Sequence, residues 1–319
     1  MTTSETVTVA NAHPAVSRAL HRRAIALMVL VTFLWSTAGV VTRHLESAAG
    51  LEVTFWRSLF AAIFVAGYLL FVRRDFLGAL RASGTAGLVS GLMWCAMFSC
   101  FMLALLKTTV ANTLVVLSVA PLLTAVLTWA VLRERIQGRT WLAIAVASGG
   151  IITMFAGAFE ADGGRHITGM LIAFAVPIAA AINVVTLKKI GHGVDLVPAV
   201  FIGGVLSAML MLIAMVASGS LALRASTHDI ILLALLGFFQ LGIPCMLMVV
   251  ASRRLTAPEL SLLALLEVLQ GPLWAWLFAG ETPTAATLAG GAVVLGALVF
   301  NEIAGGKPPA MPPDQAVSH

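Results

Sequence analysis

The chain has 319 residues, of which 60% are hydrophobic and only 10% are charged, and its mean hydropathy is +1.01. This composition excludes an ordinary soluble domain and predicts an all-α polytopic membrane protein with the lipid bilayer as a partner. The net charge of +5 would suit nucleic acid, but the basic residues fall in short clusters between apolar runs. That pattern is a topology signal, so we expect no nucleic-acid partner.

Ten apolar runs have about the 20-residue length that crosses a bilayer as a helix. The polar residues 1–23 lead into the first run without a cleavage signal, which predicts a cytoplasmic N-terminal segment followed by a signal anchor. The Pro- and Gly-rich residues 304–319 are predicted to be a disordered cytoplasmic tail. The ten runs are 24–42, 53–72, 84–106, 109–132, 140–158, 167–187, 196–218, 230–251, 256–280 and 284–301.

The distribution of Lys and Arg predicts that both termini are cytoplasmic, because cytoplasmic loops carry the excess of positive charge. Under this orientation the outer segments contain only Arg43, Lys107, Arg165 and Arg224. The inner segments contain Arg18, Arg22, Arg23, Arg73, Arg74, Arg81, Arg133, Arg135, Arg139, Lys188, Lys189, Arg253, Arg254 and Lys307.

The two halves of the chain are similar in sequence. Sliding residues 104–154 onto 251–301 without a gap aligns identical residues that apolar composition alone does not explain. These include the pairs Trp129 with Trp276, Glu134 with Glu281, Thr109 with Thr256 and Thr140 with Thr287. Each half has five helices, which is an odd number, so the two halves must cross the membrane in opposite senses. Inverted repeats are typical of secondary transporters, whose substrate site lies between the repeats near the midplane.

We therefore predict ten transmembrane helices, arranged as two inverted repeats of five helices each. The first repeat comprises residues 24–158, an external loop comprises 159–166, and the second repeat comprises 167–303.

Glu267 is the leading candidate for a site residue, because it is an ionisable group near the middle of an apolar run. At helical spacing, Gln270, Gly271 and Trp274 share its face and add an amide, a gap and an aromatic wall. Such a stripe could hold a substrate ammonium, or Glu267 could exchange a proton for substrate. The alternative is a protonated or hydrogen-bonded carboxyl that only joins helices.

Five further residues within the runs are candidates for substrate binding. Arg57 could bind a carboxylate or phosphate, or it could reach the external interface as an anchor. Gln240 and Asn183 could bind substrate or form interhelical hydrogen bonds. Trp35 and Trp94 could line a cavity or lie at the membrane interfaces.

Proline and glycine near the centres of four runs predict kinks, because proline removes a backbone donor and frees a carbonyl of the preceding turn. These kinks are either hinges or static bends fixed by packing. The candidates are Pro121, Pro177, Pro244, Gly271 and Pro272.

Glu134 and Glu281 are predicted to be structural. Each ends an apolar run just before a tight turn, where its carboxylate could accept N–H bonds from the first turn of the next helix.

Four segments resemble the EamA family of the drug/metabolite transporter superfamily, and the resemblance extends over all ten runs. The segments are WSTAGVVTRHL at 35–45, FWRSLF at 55–60, LVVLSVAPLLTAVLTWAVLRERI at 114–136 and LLALLEVLQGPLWAWLFAGETPT at 262–284. The resemblance implies a ten-helix inner-membrane carrier of two inverted repeats, often an exporter of amino acids or other metabolites. The family often has Glu-Pro in its ninth helix, whereas Val268 follows Glu267 here.

The leading hypothesis is a secondary exporter of a small metabolite, with no cofactor and no metal. The sequence contains no phosphate-binding loop of the G-x-x-x-x-G-K-[ST] type, so a gradient must supply the energy. A flippase for lipid-linked or drug-like solutes of the same fold is the first alternative. An intramembrane enzyme is a more remote alternative, because the histidines and aspartates all lie outside the runs. A structural membrane subunit is the third alternative, and transport by the isolated protein in liposomes would exclude it.

Overall fold

The computed structural model describes residues 14–48, 50–73, 75–133, 138–162, 166–190, 195–219, 223–252, 254–255 and 257–303. Every regular element within these ranges is a helix. Seven helical stretches of the described chain are long and apolar enough to cross a membrane. They are Leu20–Arg43, Leu51–Val72, Phe76–Lys107, Val110–Val131, Ile167–Thr186, Val197–Ala217 and Thr227–Ser252.

Thirteen α-helices and two π-helical segments make up the described chain. The first part contains α1 (Pro14–Ser36), α2 (Ala38–Arg43), α3 (Leu51–Tyr68), the π-helix Leu69–Arg73, α4 (Phe76–Lys107), α5 (Val110–Leu117), α6 (Ala120–Leu132) and α7 (Gly138–Asp162). The second part contains α8 (Ile167–Ile190), α9 (Val197–Ala217), α10 (Thr227–Leu235), the π-helix Leu236–Gly242, α11 (Ile243–Ser252), α12 (Ala257–Ala279) and α13 (Ala285–Ile303).

Helix α1 begins at Pro14, ten residues earlier than the sequence predicts. The predicted N-terminal segment is therefore helical from residue 14. Residues 1–13 and 304–319, Glu134, and 163–165 of the predicted external loop lie outside the described residues.

Local side chains determine where several helices begin and end. Ser226 caps α10 through a capping box, in which its hydroxyl accepts the N–H of Asp229 at 3.1 Å. Thr109 caps α5 by accepting the N–H of Asn112 at 3.1 Å. Gly280, with a φ of 65°, ends α12 in the left-handed conformation that glycine adopts without a steric penalty.

The candidate hinge prolines fall into two groups. Pro121 lies in the first turn of α6, directly after the break that separates α5 from α6. Pro244 is in the first turn of α11, directly after the π-helix Leu236–Gly242. Pro177 and Pro272 instead lie inside α8 and α12, which continue through them. The helical geometry thus changes next to Pro121 and Pro244, whereas α8 and α12 continue through Pro177 and Pro272.

Packing between the halves follows a pseudo-twofold pattern. α1 packs against α11 and α12, while α8 packs against α4, α5 and α6. The pairs α3 with α9, α5 with α12, and α7 with α13 join repeat-equivalent helices to each other. α12 ends where α5 begins, because Glu281, just beyond α12, contacts Val110 at the start of α5. These equivalent helices therefore run antiparallel.

The π-helix Leu236–Gly242 lies unusually close to α3. A Cβ added at Gly237 would lie 2.8 Å from the Arg57 carbonyl oxygen and 2.9 Å from the Ala61 nitrogen. Both are backbone atoms that cannot rotate away. A π-turn is a wider turn that often occurs at functional sites, and this one places Gln240 beside Arg57.

We expect Gly237→Ala to lower the free energy of unfolding by about 1–3 kcal/mol, as overpacking does in a well-packed interior. The apparent melting temperature of the purified protein measures the effect. Gly67→Ala is the matched control, because a Cβ at Gly67 meets no atom within 4 Å. An equal effect of both substitutions would contradict the close contact with α3.

Candidate functional site

Arg57 lies inside the helix bundle and is only 1% exposed. Its Nε and Nη2 donate to Oε1 of Gln240 at 3.1 and 2.9 Å, and its Nη1 donates to the Phe98 carbonyl at 3.4 Å. The guanidinium carbon lies 5.7 Å from the centre of the Phe101 ring, within range of a cation–π interaction. The side chain thus turns into the bundle and does not extend to an interface.

Gln240 connects Arg57 to a third helix. Its Nε2 donates to the Trp35 carbonyl of α1 at 3.3 Å, while its oxygen accepts from Arg57 of α3. The indole of Trp35 also lies next to the thiol of Cys245 in α11. One polar network therefore joins α1, α3 and the α10–α11 segment.

Glu267 lies close to this network on α12. Its carboxyl group is near enough to Arg57 and Cys245 to interact electrostatically with both, and the residue is partly buried. No hydrogen bond or ion pair joins Glu267 directly to Arg57 in the described part of the chain. The bonds of Arg57 to Gln240 and Phe98 use three of its five N–H donors. An acidic and a basic side chain thus approach each other inside the bundle without direct contact.

The predicted stripe on α12 is divided between two neighbouring helices. Gly271 faces α5, since an added Cβ would lie 2.1 Å from Cδ1 of Leu114. Trp274 faces α1, where its Nε1 donates to Oγ of Ser36 at 3.1 Å. Gln270 has a buried Oε1 without a hydrogen-bond partner among the described residues. Only part of the stripe can therefore face a common ligand.

Trp94 and Asn183 are buried, and neither forms a hydrogen bond with Arg57 among the described residues. Trp94 is 5% exposed and packs on Phe98 with ring centres 5.3 Å apart, beside Gly203 of α9. It therefore supports the residue whose carbonyl Arg57 contacts. Asn183 is 3% exposed on α8, and its Oδ1 has no partner in the described chain.

Glu281 accepts a helix N–H as predicted, but from a different helix. Its Oε1 accepts the N–H of Val110 at the start of α5, whereas α13 is capped by Thr284, which accepts from Thr287 at 3.1 Å. The next helix was the wrong partner because the antiparallel repeats bring the first turn of α5 to the end of α12. Oε2 of Glu281 pairs with Arg43 at 3.2 Å.

Two structural carboxylates were missed in the sequence. Asp229 is fully buried and accepts the N–H groups of Glu46, Ser47 and Ala48 at 2.8 to 2.9 Å. Glu52, 5% exposed, accepts the N–H groups of Arg224 and Ala225. The bonds of Asp229 join α10 to the loop after α2, and the bonds of Glu52 join α3 to the segment before α10. The Ser-x-x-Asp capping pattern of 226–229 is the signal that could have indicated Asp229.

Comparison with known proteins gives the family. Residues 22–156 and 167–302 each match the model of the EamA-like transporter family. The two matches together span most of the chain and coincide with its two halves.

The chain belongs to the EamA-like transporter family.

The family assignment establishes a multi-pass membrane protein whose class of function is transport across a membrane. A search of curated proteins finds no match. A solved protein, described only as a crystal structure of a protein, has a TM-score of 0.63 and 17% sequence identity; the match covers 89% of this chain and 97% of that one. At this identity the likeness concerns the fold alone.

For this EamA-like transporter we expect Gln240→Leu to be strongly destabilising, by about 3–5 kcal/mol, because it leaves two N–H groups of a buried guanidinium without their acceptor. Adding Arg57→Met should recover much of that loss, since the double variant buries no unpaired charge. Apparent melting temperatures of the two single variants and the double variant measure this coupling. Additive effects would show that the Arg57–Gln240 contact contributes little.

Proposed function

We propose that the chain is a secondary transporter that exports a small amphipathic metabolite, such as an amino acid or a derivative. The observation that carries the proposal is an acidic and a basic side chain that approach each other inside the bundle without a direct bond. Arg57 comes from the first repeat and Glu267 from the second. A substrate with a positive and a negative group can bridge the two residues, because no direct ion pair joins Arg57 to Glu267 in the described part of the chain.

In this proposal each charge has a distinct task. Glu267 attracts a substrate ammonium or exchanges a proton with it, while N–H groups of Arg57 bind an anionic group. Gln240 positions the guanidinium, and the rings of Trp35 and Trp274 border the site on α1 and α12. The changes in helical geometry before Pro121 and Pro244 supply bending points for alternating access between the repeats.

We further propose ten crossings of the inner membrane with both termini in the cytoplasm. Besides the seven apolar stretches, α7, α12 and α13 have 25, 23 and 19 residues, which are lengths that can span a bilayer. The charge distribution in the sequence sets the orientation. The end of the bundle that carries Arg43, Glu52, Asp229 and Glu281, hereafter the Arg43 end, then faces outward.

Reporter fusions test this topology. Fusions after Lys189 and after Arg254 should report a cytoplasmic location, and fusions near Gly163 and Arg224 an external one. An internal location at Gly163 would place the second half in the same sense as the first and contradict the inverted arrangement.

The substrate is tested by a thermal-shift screen of the purified protein against a metabolite panel, followed by counterflow of the hits in proteoliposomes. We expect Glu267→Gln to weaken binding of cationic or zwitterionic hits about 10- to 100-fold, the range for a lost hydrogen bond to a charge. If Glu267 exchanges protons, the substitution should also remove the pH dependence of transport.

The control is Glu46→Gln, which removes an exposed glutamate whose side chain pairs with His228. Normal counterflow and unchanged pH dependence in a folded Glu267→Gln variant would contradict the assigned role. Hits confined to lipid-linked or drug-like solutes would favour the flippase or efflux alternative. An absence of transport by the reconstituted protein, for every hit, would favour a structural subunit.

A further inference from the structure

At the Arg43 end, one ion pair joins four segments. The Nη1 and Nη2 groups of Arg43 donate to the carbonyls of Leu105 and Thr108 at 2.9 Å, at the end of α4. Its Nε and Nη2 reach Oε2 of Glu281 at 3.3 and 3.2 Å, and Oε1 of Glu281 accepts from Val110. One charge pair thus connects the end of α2, the end of α4, the start of α5 and the turn after α12.

A second set of bonds at the same end differs in burial. Asp229 is 0% exposed and Glu52 is 5% exposed, and both accept two or more backbone N–H groups. The side chains of Arg43 and Glu281 are 31% and 14% exposed. Separating a fully buried carboxylate from its donors leaves unpaired groups and is costly. A partly exposed pair can exchange its partners for water at a much smaller cost.

We propose that the Arg43–Glu281 pair is a releasable latch and that the bonds of Asp229 and Glu52 form the fixed corner about which the Arg43 end opens. This inference rests on the proposed transport function only for its role in the transport cycle. The latch itself is a property of the fold and can be tested without any substrate.

The seam below the latch leads to the candidate site. Val110 is 2% exposed and packs against Gly39, where an added Cβ would meet its side chain at 2.5 Å. Leu114, one turn along α5, packs against Gly271 of α12. Gly271 is one turn from Glu267. Parting α5 from α2 and α12 along this seam therefore opens a path from the Arg43 end towards Glu267.

The test uses a thiol introduced by Val110→Cys after the native Cys95, Cys100 and Cys245 are replaced by alanine. The protein is placed in nanodiscs, where both faces are accessible, and labelled with a membrane-impermeant maleimide. We expect Glu281→Gln and Arg43→Gln each to raise the labelling rate at position 110 at least about threefold, since either change breaks the latch. Glu46→Gln is the matched control at the same end and should leave the rate unchanged.

Salt provides a second measurement that needs no change to the latch. About 1 M salt shortens the screening length to about 3 Å, so it should speed labelling of the Val110→Cys protein and have no effect once Glu281→Gln is present. If Glu281→Gln does not fold, the salt dependence of the Val110→Cys protein decides alone. A labelling rate that neither the charge removals nor salt changes would overturn the latch.

The role in transport is tested by joining Arg43→Cys to Glu281→Cys with a short thiol cross-linker. Counterflow of a confirmed substrate should stop after cross-linking and return when the linker is cleaved. Undiminished counterflow through the cross-linked protein would overturn the inference. If no solute is transported, the proposed function fails, whereas the labelling experiment still decides the latch.

Discussion

The arginine at position 57 places the strongest constraint on this structure. A bilayer interior offers no water, so a guanidinium there must find its acceptors within the protein. The oxygen of Gln240 accepts two of its N–H groups and the Phe98 carbonyl accepts a third. Gln240 can approach only because Gly237 lets the π-helix lie against α3. The relative positions of α1, α3 and the α10–α11 segment all depend on satisfying this one charge.

A related constraint acts at the Arg43 end, where helix termini leave backbone groups without intrahelical partners. Glu281 accepts the N–H of Val110 at the first turn of α5, and Arg43 donates to the terminal carbonyls of α4. Asp229 accepts three N–H groups from the loop after α2. Charged side chains therefore replace water at the helix ends. Asp229 is fully buried, so its bonds are suited to permanent structure. The side chains of Arg43 and Glu281 are partly exposed, so their bonds are suited to repeated breaking.

Much of the architecture could be predicted from the sequence because its signals are local. Apolar runs of spanning length and the internal repeat predicted a helical membrane protein of two halves, and the family match confirms both repeats. Arg57, Gln240 and Glu267 could be recognised individually as polar residues in apolar surroundings. Their mutual contacts could not, because Arg57 and Gln240 are 183 positions apart and helical periodicity does not show which helices meet.

Two further features could not be predicted from the sequence, for physical reasons. The stripe from Glu267 to Trp274 is continuous in helical register, but α12 lies between α1 and α5, and each neighbour takes part of that face. Asp229 and Glu52 lie near the ends of apolar runs, where charged residues are common and need no special explanation. Only the fold shows that each carboxylate reaches from its helix to the backbone of a loop distant in sequence.

The packing of each helix against its equivalent in the other repeat affects which side chains a central site can contain. Contacts between α3 and α9, α5 and α12, and α7 and α13 are those of an isologous pair, in which the same surface meets itself across a twofold axis. In a dimer of identical subunits every side chain occurs twice, so a site on the axis would contain two arginines and two glutamates. Covalent fusion removes that requirement. A single chain can place one positive and one negative charge on opposite sides of its pseudo-axis and so distinguish the two ends of a bound molecule.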